Sequence, residues 1–135
     1  MRIFVDTSAF LAIENRRDAH HEEALIFRDA ILKAREPLVT SDYVLADSYT
    51  IIRLRAGHPA AVDFGEDVKA SRVLQVEYVT PEILEVAWQI FKTFSDKEFS
   101  FTDCTSFALM ERLQINAAFT FDDHFRQYGR FVMRP

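Results

Sequence analysis

Four aspartates stand at addresses where chemistry is cheap to build. Asp6 directly follows the apolar run "RIFV" and Asp122 directly follows "AAFTF", while Asp47 and Asp103 sit inside amphipathic stretches. Asp103, Phe107 and Met110 are spaced i, i+4, i+7, and at 100° per residue that puts the carboxylate on one helical stripe with two large apolar side chains. Glu111 and Arg112 turn away from it. Asp47, Ile51 and Leu54 repeat the spacing, with Arg53 on the opposite side, so Asp47 is also expected to face inward.

Taken singly, each aspartate has an ordinary explanation as a helix cap, a partner of the helix dipole or half of an ion pair. Taken together, two carboxylates past apolar runs and two facing inward imply convergence. Convergence has an electrostatic consequence, because two unit charges ~4 Å apart cost about 4 kcal/mol at an effective dielectric of 20. Either some of the carboxyls keep their protons or a cation compensates them. A set of hard oxygen ligands selects Mg²⁺ or Mn²⁺ over zinc.

The elements that must bring these residues together alternate along the chain. "RIFV" reads as a strand feeding a helix in "TSAFLAIENR", and "DAHHEEALIFRDAILKAR" as a second helix with Ala24, Leu25, Phe27, Ile31 and Leu32 on its apolar stripe. "PLVT", "VLQVEYV", "NAAFTF" and "RFVM" read as further strands. Between them lie helices in "SDYVLADSYTIIRLRAGH", "PAAVDFGEDVKAS", "PEILEVAWQIFKTF" and the Asp103 segment, which Thr102 is expected to cap, with a short helical turn in "DDHFRQYG". This order predicts an α/β fold, a three-layer α/β/α sandwich around a mostly parallel sheet. Open parallel sheets bind ligands beyond the carboxyl ends of their strands, where Asp6 and Asp122 are expected.

The totals bound the rest. The 135 residues suit a single domain spanning 1–135, and 49% apolar content with thirteen phenylalanines argues against disorder. No apolar run approaches the ~18 residues of a membrane span, and a lone cysteine, Cys104, fits a reducing compartment, so the expected location is cytoplasmic. A net charge of −5 gives no bulk attraction for a nucleic acid, which counts against a simple DNA-binding module but not against an enzyme whose carboxylates hold metal.

"IFVDTSAF", "SDYVLADSYTII", "SFTDCTSFALM" and "AFTFDDHF" together closely resemble the four acidic motifs of PIN-domain ribonucleases, particularly VapC-type toxins, in order and spacing over nearly the whole chain. The resemblance implies that Asp6, Asp47, Asp103 and Asp122 form the catalytic, metal-binding quartet for Mg²⁺ or Mn²⁺. It also implies hydroxyls near the site at Thr7 and Thr120. The implied reaction is hydrolysis of RNA phosphodiesters to 5′-phosphate and 3′-hydroxyl ends. The implied partners are an RNA substrate, a second copy in a homodimer, and a small cognate antitoxin whose tail blocks the acidic cleft. One position departs from the family: its second acidic residue is usually glutamate, and Asp47 is one methylene shorter, leaving open direct contact with metal or contact through a water.

Other features carry less. His20 and His21 are adjacent on a helix, point about 100° apart, and read as a solvated face. His124, beside Asp122, has two readings, a contact to substrate or, the favoured one, a surface residue on a short turn; Phe119, Phe121 and Phe125 read as core. Arg16, Arg17, Arg53 and Arg55 are candidates to hold an RNA backbone near the cleft. Two rival readings remain: a catalytically silent PIN-like module that only binds a partner, and a Mg²⁺-dependent phosphotransfer domain. The latter is disfavoured because Ser8 stands two residues after Asp6 where the dehalogenase type has a second aspartate, and no lysine follows a late strand near the site.

Overall fold

A computed structural model describes all residues 1–135. Five strands form one sheet: β1 (Ile3–Val5), β2 (Leu38–Ser41), β3 (Leu74–Glu77), β4 (Ala117–Phe119) and β5 (Val132–Arg134). Their order is β3-β2-β1-β4-β5 and every neighbouring pair is parallel. The first three strands step outward from β1, and the chain then returns to add β4 on the other side of β1. The order therefore reverses between β1 and β4, and the crevice beyond the strand ends at such a reversal is where these folds bind ligands.

Successive strand residues point to opposite faces, so a strand buried at every position is covered on both sides. Every residue of β1, β2 and β4 is buried, which establishes the sandwich, while the edge strands β3 and β5 are only partly covered. The covering helices are α1 (Thr7–Glu14), α2 (His21–Lys33), α3 (Asp42–Ala56), α4 (His58–Ala70), α5 (Pro81–Thr93), α6 (Phe101–Leu113) and α7 (His124–Tyr128). The expected stripe of α2 holds at Ala24 and Ile31, but Leu32 is exposed.

Helix α6 does more than present one face, since every residue from Asp103 to Met110 is buried. It runs through a cluster of aromatic rings in which Phe107 meets Phe99, Phe125 and Tyr128 at 5.1, 5.1 and 4.4 Å between centroids. Its cap is Ser100, not the expected Thr102. Ser100 Oγ accepts from the Asp103 N–H at 2.9 Å and Asp103 Oδ2 accepts from the Ser100 N–H at 3.0 Å. This reciprocal pair is a capping box. Both threonine and serine can cap, and only the position of the acidic residue three places on selects Ser100.

Candidate active site

Asp6 reaches the site because β1 ends at Val5 and α1 starts at Thr7, leaving one residue to turn the chain. Buried at the helix start, Asp6 Oδ2 accepts from Ser8 Oγ at 2.9 Å, from Thr120 Oγ1 at 3.0 Å and from the Ser8 N–H at 3.4 Å. Thr120 follows β4, so this contact ties the carboxyl ends of the two central strands together. Both expected hydroxyls are near the site: Thr120 holds Asp6, and Thr7 lines the cleft while donating to the Val44 carbonyl at 3.5 Å, so that Ser8 rather than Thr7 joins Thr120 in holding the carboxylate.

Asp122 comes from the same stretch after β4. Its Oδ1 accepts from the His124 N–H at 2.9 Å and lies 3.3 Å from His124 Nδ1. Asp103 Oδ2 receives His124 Nδ1 at 2.8 Å in addition to the Ser100 N–H. Ligand atoms of Asp103, Asp122 and His124 all lie within 4.8 Å of one another. His124, read from sequence as a surface residue, is thus central to the site, held over the Phe99 ring at 5.5 Å. A possible signal was the spacing in "DDH", which lets a helix start fold its third residue back over the first.

Asp47 is the main correction. The stripe Asp47, Ile51, Leu54 does not face the core: Asp47 is exposed, Leu54 is 75% exposed, and α3 buries Val44, Leu45, Ser48 and Ile52 instead. Helical spacing fixes which residues share a face but not which face meets the core, and Ser48 is buried by giving its hydroxyl to the Val44 carbonyl at 2.7 Å. Asp47 nevertheless lines the same cleft as Asp6, Asp103 and Asp122, at its rim. All four aspartates are therefore brought together, three of them closely held. His20 and His21 stay outside: His20 stacks on the half-buried Phe121 at 4.4 Å and His21 Nδ1 lies 2.7 Å from the Ala12 carbonyl.

The electrostatics follow from burial. Asp6 is pushed up from its ordinary 3.8 to about 6, first by burial and then by the Asp103 charge, with Asp122 adding to it against the hydroxyls of Ser8 and Thr120. Asp103 is also raised, by burial and then by Asp122, with the Ser100 N–H and His124 opposing. Burial pulls His124 down, but its hydrogen bond to Asp103 and the charges of Asp122 and Asp103 outweigh it, so the imidazole is raised overall. Cys104 is buried, pushed up to about 11 by burial and by Asp103, and is no nucleophile.

The donor set fits a hard divalent cation. Asp6, Asp103 and Asp122 each commit one oxygen to protein donors, and the other oxygen of each accepts nothing from the protein. Three oriented carboxylates with a free oxygen apiece make an oxygen-rich site, and the near nitrogen of His124 is engaged by Asp103.

Comparison with known proteins agrees with this geometry. Residues 3–131 match the PIN domain family. The chain is 38% identical over 134 residues to the 23S rRNA-specific endonuclease VapC20 of Mycobacterium tuberculosis, covering 98% of each. The crystal structure of that protein, described as a sarcin-ricin loop cleaving toxin, superposes with a TM-score of 0.87 at 36% identity, covering 98% of this chain and 99% of the other. VapBC2 of Rickettsia felis bound to a promoter DNA fragment has a TM-score of 0.75 at 9% identity over 99% of this chain and 98% of that one. FitAcB of Neisseria gonorrhoeae has a TM-score of 0.73 at 13% identity over 100% and 97%; these two share the fold.

Proposed function

The chain belongs to the PIN-domain family, and on that premise we propose that it is a metal-dependent endoribonuclease of the VapC toxin type whose substrate is the sarcin-ricin loop of 23S rRNA. The observation that carries the reading is the meeting of Asp6, Asp103 and Asp122 at the β1/β4 reversal, each with one oxygen held and one free. Identity to the 23S rRNA endonuclease across 98% of both chains supports the choice of substrate.

Asp6, Asp103 and Asp122 would hold Mg²⁺ or Mn²⁺, with Asp47 contributing from the rim. When bound, such an ion supplies a water of lowered pKa and compensates charge on the leaving oxygen. The chain's own residues do the positioning. Ser8 and Thr120 fix the rotamer of Asp6, Ser100 fixes Asp103, and His124 bridges Asp103 and Asp122 so that two like charges can stay close. His124 is a positioning residue here. No lysine lines the cleft, so the phosphotransfer alternative finds no support in it.

The family relation also supports a small antitoxin that covers the acidic cleft, a homodimer, and action in the cytoplasm; no helix is long and apolar enough to cross a membrane. The test is incubation of the purified chain with a 23S rRNA fragment carrying the loop, with Mg²⁺ or Mn²⁺. Wild type cuts it to 5′-phosphate and 3′-hydroxyl ends, and Asp103→Asn lowers kcat at least ~100-fold, about 3 kcal/mol of barrier. Equal cutting by wild type, Asp6→Asn and Asp103→Asn overturns the assignment.

A further inference from the structure

The acidic cleft lies at the start of α1, which Asp6 caps, and takes Asp47 from the second turn of α3; the two helices pack along each other. Their far ends also meet. There Arg16 and Arg17, just past α1, and Arg55, in the last turn of α3, line one depression of about 440 Å³ together with Glu14 and Asn15. The Arg17 N–H donates to Asn15 Oδ1 at 3.2 Å, a turn that sets the direction of the chain after α1.

These three arginines are exposed and enter no ion pair, which is equally true of Arg35, Arg53, Arg72 and Arg112; what sets the three apart is that they share one depression. The half-buried Glu14 is the one acidic group in the depression, so a positive excess stays available in a chain whose net charge is −5. Compensation of helix carboxyl ends would account for Arg55, but equally for Arg53 beside it, which lies outside the depression.

Resting on the ribonuclease reading, we propose that Arg16, Arg17 and Arg55 form a subsite for the phosphate backbone of the RNA, flanking the acidic cleft. The span is suitable. α1 has 8 residues and Asp47 precedes Arg55 by as many, so at about 1.5 Å per residue the depression lies about 12 Å from the cleft along either helix, within the reach of a few nucleotides of one strand. The placement also answers a physical need. A cleft of carboxylates repels a polyanion, and a nearby guanidinium cluster, whose forked donors match phosphate oxygens, draws the strand in and fixes its register without reading bases.

The test uses the full chain carrying Asp103→Asn, so that RNA stays intact, and a fluorescent hairpin RNA titrated in Mg²⁺ at several KCl concentrations. Replacing Arg16, Arg17 and Arg55 by Gln weakens binding about 10-fold or more and lowers the slope of log affinity against log salt by about 2, as expected when three phosphate contacts are lost. Replacing them by Lys restores the salt slope, which separates lost charge from lost folding. Arg72→Gln, elsewhere on the surface, changes neither. In the cleaving chain, the Gln triple variant raises KM for the hairpin with kcat unchanged and leaves a dinucleotide substrate unaffected. If the Asp103→Asn parent binds RNA and the Gln triple variant binds it as tightly with the same slope, the subsite is overturned, and the arginines belong to a protein partner or to the helix ends. If the parent binds no RNA, the ribonuclease reading falls and the subsite with it.

Discussion

Removing the charge of Asp6 should stabilise the ion-free protein while destroying its activity. The carboxyl is buried and its pKa is raised from 3.8 to about 6, by burial first and then by Asp103 and Asp122. At about 1.4 kcal/mol per pH unit, the gap between 3.8 and about 6 corresponds to roughly 3 kcal/mol that the ionised folded state gives up at neutral pH. The folded chain holds this proton more tightly than the unfolded chain does. Stability from this group is therefore full below 3.8 and is lost as pH rises to about 6. Asp103 and His124, both raised, push the same way, His124 losing its contribution as pH climbs above its ordinary 6.5. An asparagine at position 6 keeps an oxygen to accept from Ser8 and Thr120 but carries no charge. Asp6→Asn should thus gain about 1 to 3 kcal/mol near pH 7.5 in chelator, on the order of 3 to 10 °C in Tm for a chain of this size. Near pH 4.5, where the folded wild type has largely protonated Asp6 but the unfolded chain has not, the gap should fall to about 1 kcal/mol, and it should close only below 3.8. Manganese should close it from the other side, since an ion at about 100 times its Kd raises wild type by about 2.7 kcal/mol and the variant by little. A variant no more stable than wild type near pH 7.5, or manganese lifting both proteins alike, would refute the argument that these carboxylates repel one another and that a bound cation relieves the repulsion.

Three further outcomes are expected. Because His124 holds both Asp103 and Asp122, His124→Ala should weaken manganese binding by about 10- to 100-fold in calorimetry. Ser100→Ala removes half of the capping box and should lower stability by about 1 kcal/mol in urea unfolding, with the Asp103 carboxylate left less constrained. Asp47→Asn should cost only about 10-fold in kcat, well short of the loss in Asp103→Asn, because Asp47 sits exposed at the rim with no protein donor orienting it.

What the sequence revealed and what it hid have a common cause. Alternating apolar runs and capped helices are local patterns, so the sandwich and the strand-end positions of Asp6 and Asp122 were readable, and the buried phase of Asp103 was readable because both apolar companions, Phe107 and Met110, are core. Asp47 had the same spacing, but of its apolar companions only Ile51 packs against the core, half-buried, while Leu54 is exposed. Spacing is relative, and the absolute orientation of α3 is set by its packing against α1 and α4. His124 was missed for a related reason. Its partner Asp103 lies 21 residues away, and a side chain that bridges two distant carboxylates leaves no periodic trace.

The division of labour inside each carboxylate links fold to function. Burying a carboxylate is tolerable when donors satisfy it, and here Ser8, Thr120, Ser100 and His124 satisfy one oxygen of each buried or half-buried aspartate. Satisfying both oxygens would make the site more stable and chemically inert. Leaving one oxygen free keeps the rotamer fixed and the ligand atom available, at the cost of repulsion that lifts Asp6 and Asp103 above their ordinary range. The strain falls at the start of α6, whose remaining length is locked among Phe99, Phe107, Phe125 and Tyr128, so the helix cannot withdraw Asp103 to relieve it. An aromatic core that lies outside the cleft is thereby what holds Asp103 beside Asp6 and Asp122 in spite of their repulsion.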